Sequence, residues 1–280
     1  MKRGSKLSLI LATSLVVLFL AALVGGRSMQ DEFSPAEQVL DTGFVRVRNA
    51  YVDLYAIRVG SRVLVFDTGM DPAAAPVKEA LRALDAGPQD VSHLFLTHGH
   101  FDHVNGVNGL PPETTPGEIF VGLYDTALLD GKRANPRLIP RLAGMLLDTR
   151  HFGVTAGMAG PRRIPVASDE QVLAFPVPGH TRGSYAYFFK GVLIAGDAMN
   201  YRGGLLEPAP SFVSEDPEQG LRSLVALKRA LVNARVRTVC TGHGGCTPEA
   251  DTARLLTALF NGAEAATGTS AAPTRMGAAQ

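Results

Sequence analysis

Residues 97–103 read Thr97-His98-Gly99-His100-Phe101-Asp102-His103, directly after the apolar stretch 91–96. Three imidazoles and a carboxylate on one turn make a poor core and a good ligand set for a borderline divalent metal. A buried strand that ends in such a turn constrains the fold, because its end must open onto a polar cleft. His98 and His100 alternate, so both can face one point. Asp102 and His103 are adjacent and point differently, which suits a second metal close by. A solvated loop with histidines by chance is the plain alternative. Four such residues at this spacing behind a buried strand speak against it.

Three later segments repeat the pattern of an apolar strand followed by a candidate ligand. Pro178-Gly179-His180-Thr181 follows a strand read at 172–177, Gly196-Asp197 closes one at 192–195, and Thr241-Gly242-His243-Gly244 follows one at 236–239. Each alone reads more readily as a structural His or a turn Asp. Together they place ligands at one edge of the sheets, where α/β folds usually put their chemistry. Strands at 44–47, 51–59 and 62–66, the last two joined by a Gly60-Ser61 turn, precede a helix at 76–84 that Pro76 opens. Further strands are expected at 119–121 and 185–189, and helices at 125–129, 136–147, 221–232 and 248–260. Strand clusters alternating with helices mean an α/β fold of layered sheets covered by helices.

Composition narrows the function. The chain has 280 residues, a formal net charge of +1 and two cysteines. The charge excludes nucleic-acid binding through bulk basicity, and the cysteine count excludes a disulfide scaffold and a four-thiolate zinc site. No nucleophile-elbow or P-loop pattern is present. Lys2, Arg3 and Lys6 precede residues 7–24, which carry no charge. That order reads as a signal or membrane anchor within residues 1–30, anchoring through 7–24, with the rest exported to the periplasmic or extracytoplasmic side. Residues 31–262 read as one catalytic domain and 263–280 as a disordered tail.

Over about residues 40–260, Asp67-Thr68-Gly69, the His-x-His-x-Asp-His run, Gly179-His180-Thr181, Gly196-Asp197 and Gly242-His243 resemble the ordered motifs of the metallo-beta-lactamase-fold hydrolase superfamily. The resemblance implies a four-layer αββα sandwich with two divalent metal ions, zinc, between its sheets. It implies that His98, His100 and His180 bind one metal, that Asp102, His103 and His243 bind the other, and that Asp197 bridges them. Asp67 is then either a brace for the metal loop or a residue of an ordinary strand-ending turn. Arg182 stands where many relatives have Pro, a change that leaves ligation intact. The implied chemistry is attack by a metal-bridging hydroxide on an ester, lactone or thioester, with Asp102 and Asp197 at the reacting centre.

Within that superfamily the chain is similar to the glyoxalase II and lactonase branch, acting on a small-molecule substrate and meeting the membrane through its N-terminal segment only. Tyr201 is similar to a tyrosine that lactonases of the fold hold near the bridging Asp, one residue further on; it reads equally as a packing Tyr beside Gly203-Gly204. A second class is open: an oxidoreductase similar to the single-iron persulfide dioxygenases. Lys132, Arg133, Arg137, Arg141, Arg162 and Arg163 lie in the stretch between His103 and His180, read as a Gly-rich lid that sets substrate choice by orienting an anionic substrate; any single one of them reads more readily as part of a solvated helix face. His93 and His151 read as structural. Cys240 and Cys246 flank His243, and two readings stand for them. In an oxidising compartment they can pair around the final ligand; otherwise Cys240 is a small buried residue and Cys246 caps the next turn.

Overall fold

The computed structural model describes residues 30–110, 118–147 and 156–269. The chain opens with four antiparallel strands, β1 (Glu37–Val39), β2 (Phe44–Asn49), β3 (Val52–Val59) and β4 (Arg62–Phe66). Helix α1 (Ala75–Ala83) then crosses to β5 (Val91–Phe95), and the short helix α2 (Phe101–Val104) follows. Next come β6 (Glu118–Gly122), α3 (Thr126–Leu129), α4 (Leu138–Leu147) and β7 (Ala156–Met158). The first sheet keeps chain order from β1 to β7, with β4 to β7 parallel.

The second half supplies β8 (Arg162–Pro165), β9 (Gln171–Pro176), β10 (Tyr185–Phe189) and β11 (Val192–Gly196). A hairpin of β12 (Met199–Arg202) and β13 (Leu205–Pro208), helix α5 (Pro217–Ala230), β14 (Thr238–Thr241) and helix α6 (Glu249–Thr267) complete the fold. The second sheet has the order β14-β11-β10-β9-β8, with β14 parallel to β11.

Alternation along the strands dictates the layering. In β3, Tyr55 and Ile57 face the second sheet, whereas Leu54 and Ala56 face Val77, Ala80 and Leu81 of α1. In β10, Tyr185, Tyr187 and Phe189 face the first sheet, and Ala186 joins Leu224, Leu227, Leu255 and Leu259 of α5 and α6 on the other side. Strands apolar on both faces must be covered on both faces. The result is helix, sheet, sheet and helix in four layers, the αββα sandwich.

Two buried tyrosines tie the sheets together at the edge where the ligands emerge. Tyr55 of the first sheet donates its hydroxyl to the carbonyl of Thr241 in the second, 2.7 Å away. Tyr187 of the second donates to the carbonyl of Leu96 in the first, at 2.8 Å. Each accepting carbonyl stands two residues before a histidine of the motifs, so the sheet packing sets where His98 and His243 begin. Between the sheets Phe95 stacks on Phe66 and Phe120, with ring centroids 4.9 and 5.2 Å apart.

Several elements differ from the sequence expectation. Strands β1, β7, β8, β12 and β13 have three or four residues each, too short for a periodic signal to rise above a loop. Arg162 and Arg163 belong to edge strand β8 rather than to a lid. Helix α5 starts at Pro217, earlier than expected, because the Asp216 carboxylate accepts from the Gln219 N–H at 2.9 Å and caps it. Helix α6 runs to Thr267 and buries Ala263, so residues 263–267 belong to the domain and not to a tail. Residues 1–29, His151 and residues 270–280 lie outside the described residues. Among the described residues no helix is long and apolar enough to cross a membrane.

Replacing Phe95 with Ala should cost about 3–5 kcal/mol by opening a cavity between the sheets. Chemical denaturation of the two proteins measures it, and a loss under 1 kcal/mol, taken as about the cost of a surface change, would contradict this packing.

Candidate metal centre

The cluster sits where strands of both sheets end. From the first sheet, β5 leads into His98 and His100, and α2 carries Asp102 and His103. From the second, the turn after β9 brings His180, the turn after β11 brings Asp197, and the turn after β14 brings His243. Ligand atoms of His98, His100 and His180 lie within 4.8 Å of one another. So do those of His98, His103 and Asp197, and those of Asp102, His103 and His243. All seven residues named from the sequence therefore converge. One Asp197 oxygen lies 3.0 Å from His243 Nε2 and 3.4 Å from His180 Nε2, which sets this carboxylate between the two groups.

The orientation of the rings tests whether a metal fits. Thr97 Oγ1 donates to the Asp67 carboxylate at 2.8 Å, so it accepts from His98 Nδ1, 3.1 Å away, and His98 turns Nε2 inward. His103 Nδ1 donates to Asp67 at 2.9 Å and His243 Nδ1 to the Tyr51 carbonyl at 3.0 Å, so both also present Nε2. Nε2 of His98 and of His103 and Oδ1 of Asp197 are buried with no hydrogen-bond partner. His103 Nε2 and Asp197 Oδ1 stand 3.3 Å apart without the alignment of a hydrogen bond. His100 Nδ1 and His180 Nε2 face each other at 2.9 Å. Buried nitrogen and oxygen lone pairs are costly when left unmade, and a divalent cation satisfies several at once. The donor set fits two such ions.

Charge divides the cluster. Burial, then the neighbouring imidazoles of His103, His100 and His180, hold His98 well below the usual histidine range, and burial also lowers His180. Burial opposes charge on His103 and His243 as well, but Asp197 and Asp102 outweigh it for both. His103 is pushed well above its ordinary value and His243 up to about 9. Asp197 is held well below the carboxylate range against its own burial by His243, His103 and His180. A metal must displace the protons of His103 and His243, so binding should release protons and weaken as pH falls below about 9. Calorimetry in buffers of different ionisation enthalpy reads the proton count; no release at neutral pH would contradict this charge pattern.

Other groups hold the loops in place. Asp67, in left-handed backbone at φ 59°, accepts from the Thr97 N–H at 2.7 Å as well as from His103 and Thr97 Oγ1. It braces the metal loop. Asp125 fastens two ligand loops together, accepting from Gly99 N at 2.8 Å, Thr181 Oγ1 at 2.6 Å and Gly183 N at 2.9 Å. Burial raises its pKa to about 6. Asp53 accepts from Gly245 N at 2.9 Å beyond His243, and the Asn135 amide meets His100 Nε2 at 2.6 Å. Gly242 is obligatory, because a Cβ there would overlap Asp197 and His103. Cys240 and Cys246 are disulfide-bonded across the turn that carries His243.

Beside the cluster lies a cleft of about 290 Å³ lined by Tyr51, Phe101, Ile139, Pro140, Asn200 and Val213 among others. Tyr201 does not line it. Its side chain packs against the outer core around α5 and α6, and Asn200, its neighbour on β12, faces the cleft. The aromatic hydroxyl of the cleft is Tyr51, which stacks on His243 at 5.5 Å. Burial, then the Asp102 and Asp197 charges, keep Tyr51 a neutral phenol. Tyr51, Asp53, Asp125 and Asn135 carry no motif, and only the three-dimensional fold reveals them. Of the basic residues between His103 and His180, Arg133 is held by Glu215 and Asp125, and Arg137 by the Ser214 carbonyl.

Replacing Asp67 with Ala should lower metal affinity by about 10–100-fold, as loss of a partner behind a ligand does. Competition with a chromophoric chelator measures it, with circular dichroism as a check on folding.

A family model described as the metallo-beta-lactamase superfamily matches residues 48–243. An uncharacterized protein, YobT, of Bacillus subtilis is 25% identical over 208 residues, covering 69% of this chain and 83% of that protein. A hydroxyacylglutathione hydrolase of Aeromonas hydrophila is 32% identical over 146 residues, covering 52% of this chain and 46% of that enzyme. The chain thus spans about half the length of that relative. Among solved structures, BJP-1, a subclass B3 metallo-beta-lactamase of Bradyrhizobium japonicum, superposes with a TM-score of 0.57 at 18% identity, covering 77% of this chain and 80% of that one. With the strand order, the convergent histidines and the match over residues 48–243 together, the chain belongs to the metallo-beta-lactamase superfamily.

Proposed function

We propose that the chain is a hydrolase holding two zinc ions and cleaving an ester, lactone or thioester of a small molecule. One observation carries the reading: an Asp197 oxygen lies 3.4 Å from His180 of one ligand group and 3.0 Å from His243 of the other, with buried nitrogens on both sides left without partners. His98, His100 and His180 would hold one ion, Asp102, His103 and His243 the other, and Asp197 both. Such ions lower the pKa of coordinated water and polarise a carbonyl group. The chain's own residues do the rest. Asp67, Thr97 and the Tyr51 carbonyl fix the ring tautomers so that ligand nitrogens face inward. Tyr51, protonated throughout the working range, has a hydroxyl available for a substrate oxygen. Phe101, Ile139, Pro140 and Val213 give the cleft an apolar lining for the non-reacting part of a substrate. The similarity to a hydroxyacylglutathione hydrolase supports hydrolysis over oxygen chemistry.

Location belongs to the same proposal. The basic residues ahead of the uncharged run 7–24 support an exported, membrane-anchored domain. The bond between Cys240 and Cys246 supports an oxidising compartment.

Protein purified without added metal should carry two zinc ions per chain and hydrolyse members of a panel of esters, lactones and thioesters. Asp197→Ala should lose at least one ion. Its activity should fall by at least the ~10–100-fold that loss of an outer partner costs. A single iron, with thiol-dependent oxygen uptake, would replace this reading with that of an oxidoreductase.

A further inference from the structure

Helix α4 is apolar on the side turned away from the protein. Leu138 and Met145 are 68% and 74% exposed, and Leu142, between them on the same face, is exposed too. A soluble domain rarely leaves such a stripe open without a use. The stripe stands at the mouth of the cleft, because Ile139, Pro140 and Ala143 of the same helix line it. Phe212, also exposed, directly precedes the lining residue Val213.

The chain itself says what lies near this face. Gln30 is pinned to the domain: its amide donates to the Leu147 carbonyl at the end of α4, 3.1 Å away, and its carbonyl accepts from Asn49 at 2.8 Å. Residue 24, the end of the uncharged run, is only six steps earlier, a reach of at most ~20 Å even when fully extended. The run 7–24 has the length of a helix of ~27 Å, close to the hydrocarbon thickness of a bilayer. Whatever membrane that run enters must lie within a short reach of α4. Charge agrees at one position, since Arg141 of α4 is exposed and has no ion-pair partner among the described residues, a cation free for an anionic lipid surface.

We propose that α4 rests on the lipid surface and that the cleft takes its substrate from there, an amphiphilic ester whose acyl chain lies along the apolar wall of Phe101, Ile139 and Val213. This rests on the hydrolase and anchor readings above. Water adds across the acyl–oxygen bond, the acyl group leaves as a carboxylic acid that loses its proton at neutral pH, and the alcohol keeps the other proton.

The chain contains no Trp, so a single introduced Trp reports its surroundings without background. Full-length protein carrying Leu142→Trp, and a control carrying Val232→Trp on the connection after α5, are reconstituted with vesicles of phosphatidylethanolamine and phosphatidylglycerol. If α4 sits ~5–10 Å into the interface, lipids brominated in the acyl chains should quench Leu142→Trp emission by about half and leave the control unchanged. Flotation of the same samples reads the anchor separately. Protein that floats with vesicles but whose Leu142→Trp is not quenched overturns the docking while the anchor stands; protein that does not float overturns both. A blue shift that grows with protein concentration in the absence of lipid would assign the face to a second copy and overturn the proposal. The variant Leu138→Glu/Leu142→Glu should lose about 10-fold in rate on a long-chain ester within vesicles and keep its rate on a short soluble ester. Equal rates on both substrates would overturn the substrate assignment, and no hydrolysis of the soluble ester by wild-type protein would instead remove the hydrolase reading.

Discussion

Five imidazoles and two carboxylates crowd into one buried volume, and the rest of the structure is arranged to hold them there. Left alone, the cluster is unfavourable: ring nitrogens face one another and buried lone pairs go unmade. Neighbouring carboxylates relieve part of this by keeping His103 and His243 protonated. The sheets answer the remaining strain with rigidity. Each ligand loop leaves a strand whose two faces are packed, and hydrogen bonds from Tyr55 and Tyr187 lock the strand ends across the sandwich. Placing a site on strand ends rather than on long loops gives it the precision that ligation demands.

The same arrangement explains what could be read from the sequence. A long strand with one purpose per face leaves a strong signal, as β3, β4, β10 and β11 do, and their expected bounds lie within a residue of those observed. The seven convergent ligand candidates were legible because chemistry restricts those positions to a few residue types at fixed spacing. Asp125, Asn135 and Tyr51 were not. An Asp in a short helical turn looks like any solvated carboxylate until the fold folds Gly99 and Gly183 onto it from opposite sheets. Tyr201 stood open between two readings for a related reason. Spacing alone cannot say which face of β12 a residue takes, and the pleat turns Asn200 to the cleft and Tyr201 to the outer core.

The apolar wall of the cleft and the outward stripe of α4 belong to one helix, so its position sets both the width of the cleft and the face offered to the surroundings. Asn135 links the turn before that helix to His100, and Arg137 ties it to the loop at Ser214. The segment that leads into α4 is therefore in contact with a ligand ring. Hydrogen bonds thus connect the cleft wall to a ligand ring on this side of the site, whereas Asp67 and Asp53 anchor the other side to the strands of the first sheet.

Asp125 has a consequence beyond holding a loop. His98, His100, Asp102 and His103 come from the first half of the chain, and His180, Asp197 and His243 from the second, so neither half has a complete set. At this edge Asp125 rivets the halves by bonds to Gly99 on one side and to Thr181 and Gly183 on the other. Cations held across the same seam would be a further cross-link between the two layers. Loading the site then changes more than affinity for a substrate. It would add a cross-link at this edge to the apolar core and the tyrosine hydrogen bonds that already join the sheets, so metal should raise the unfolding transition of the whole domain.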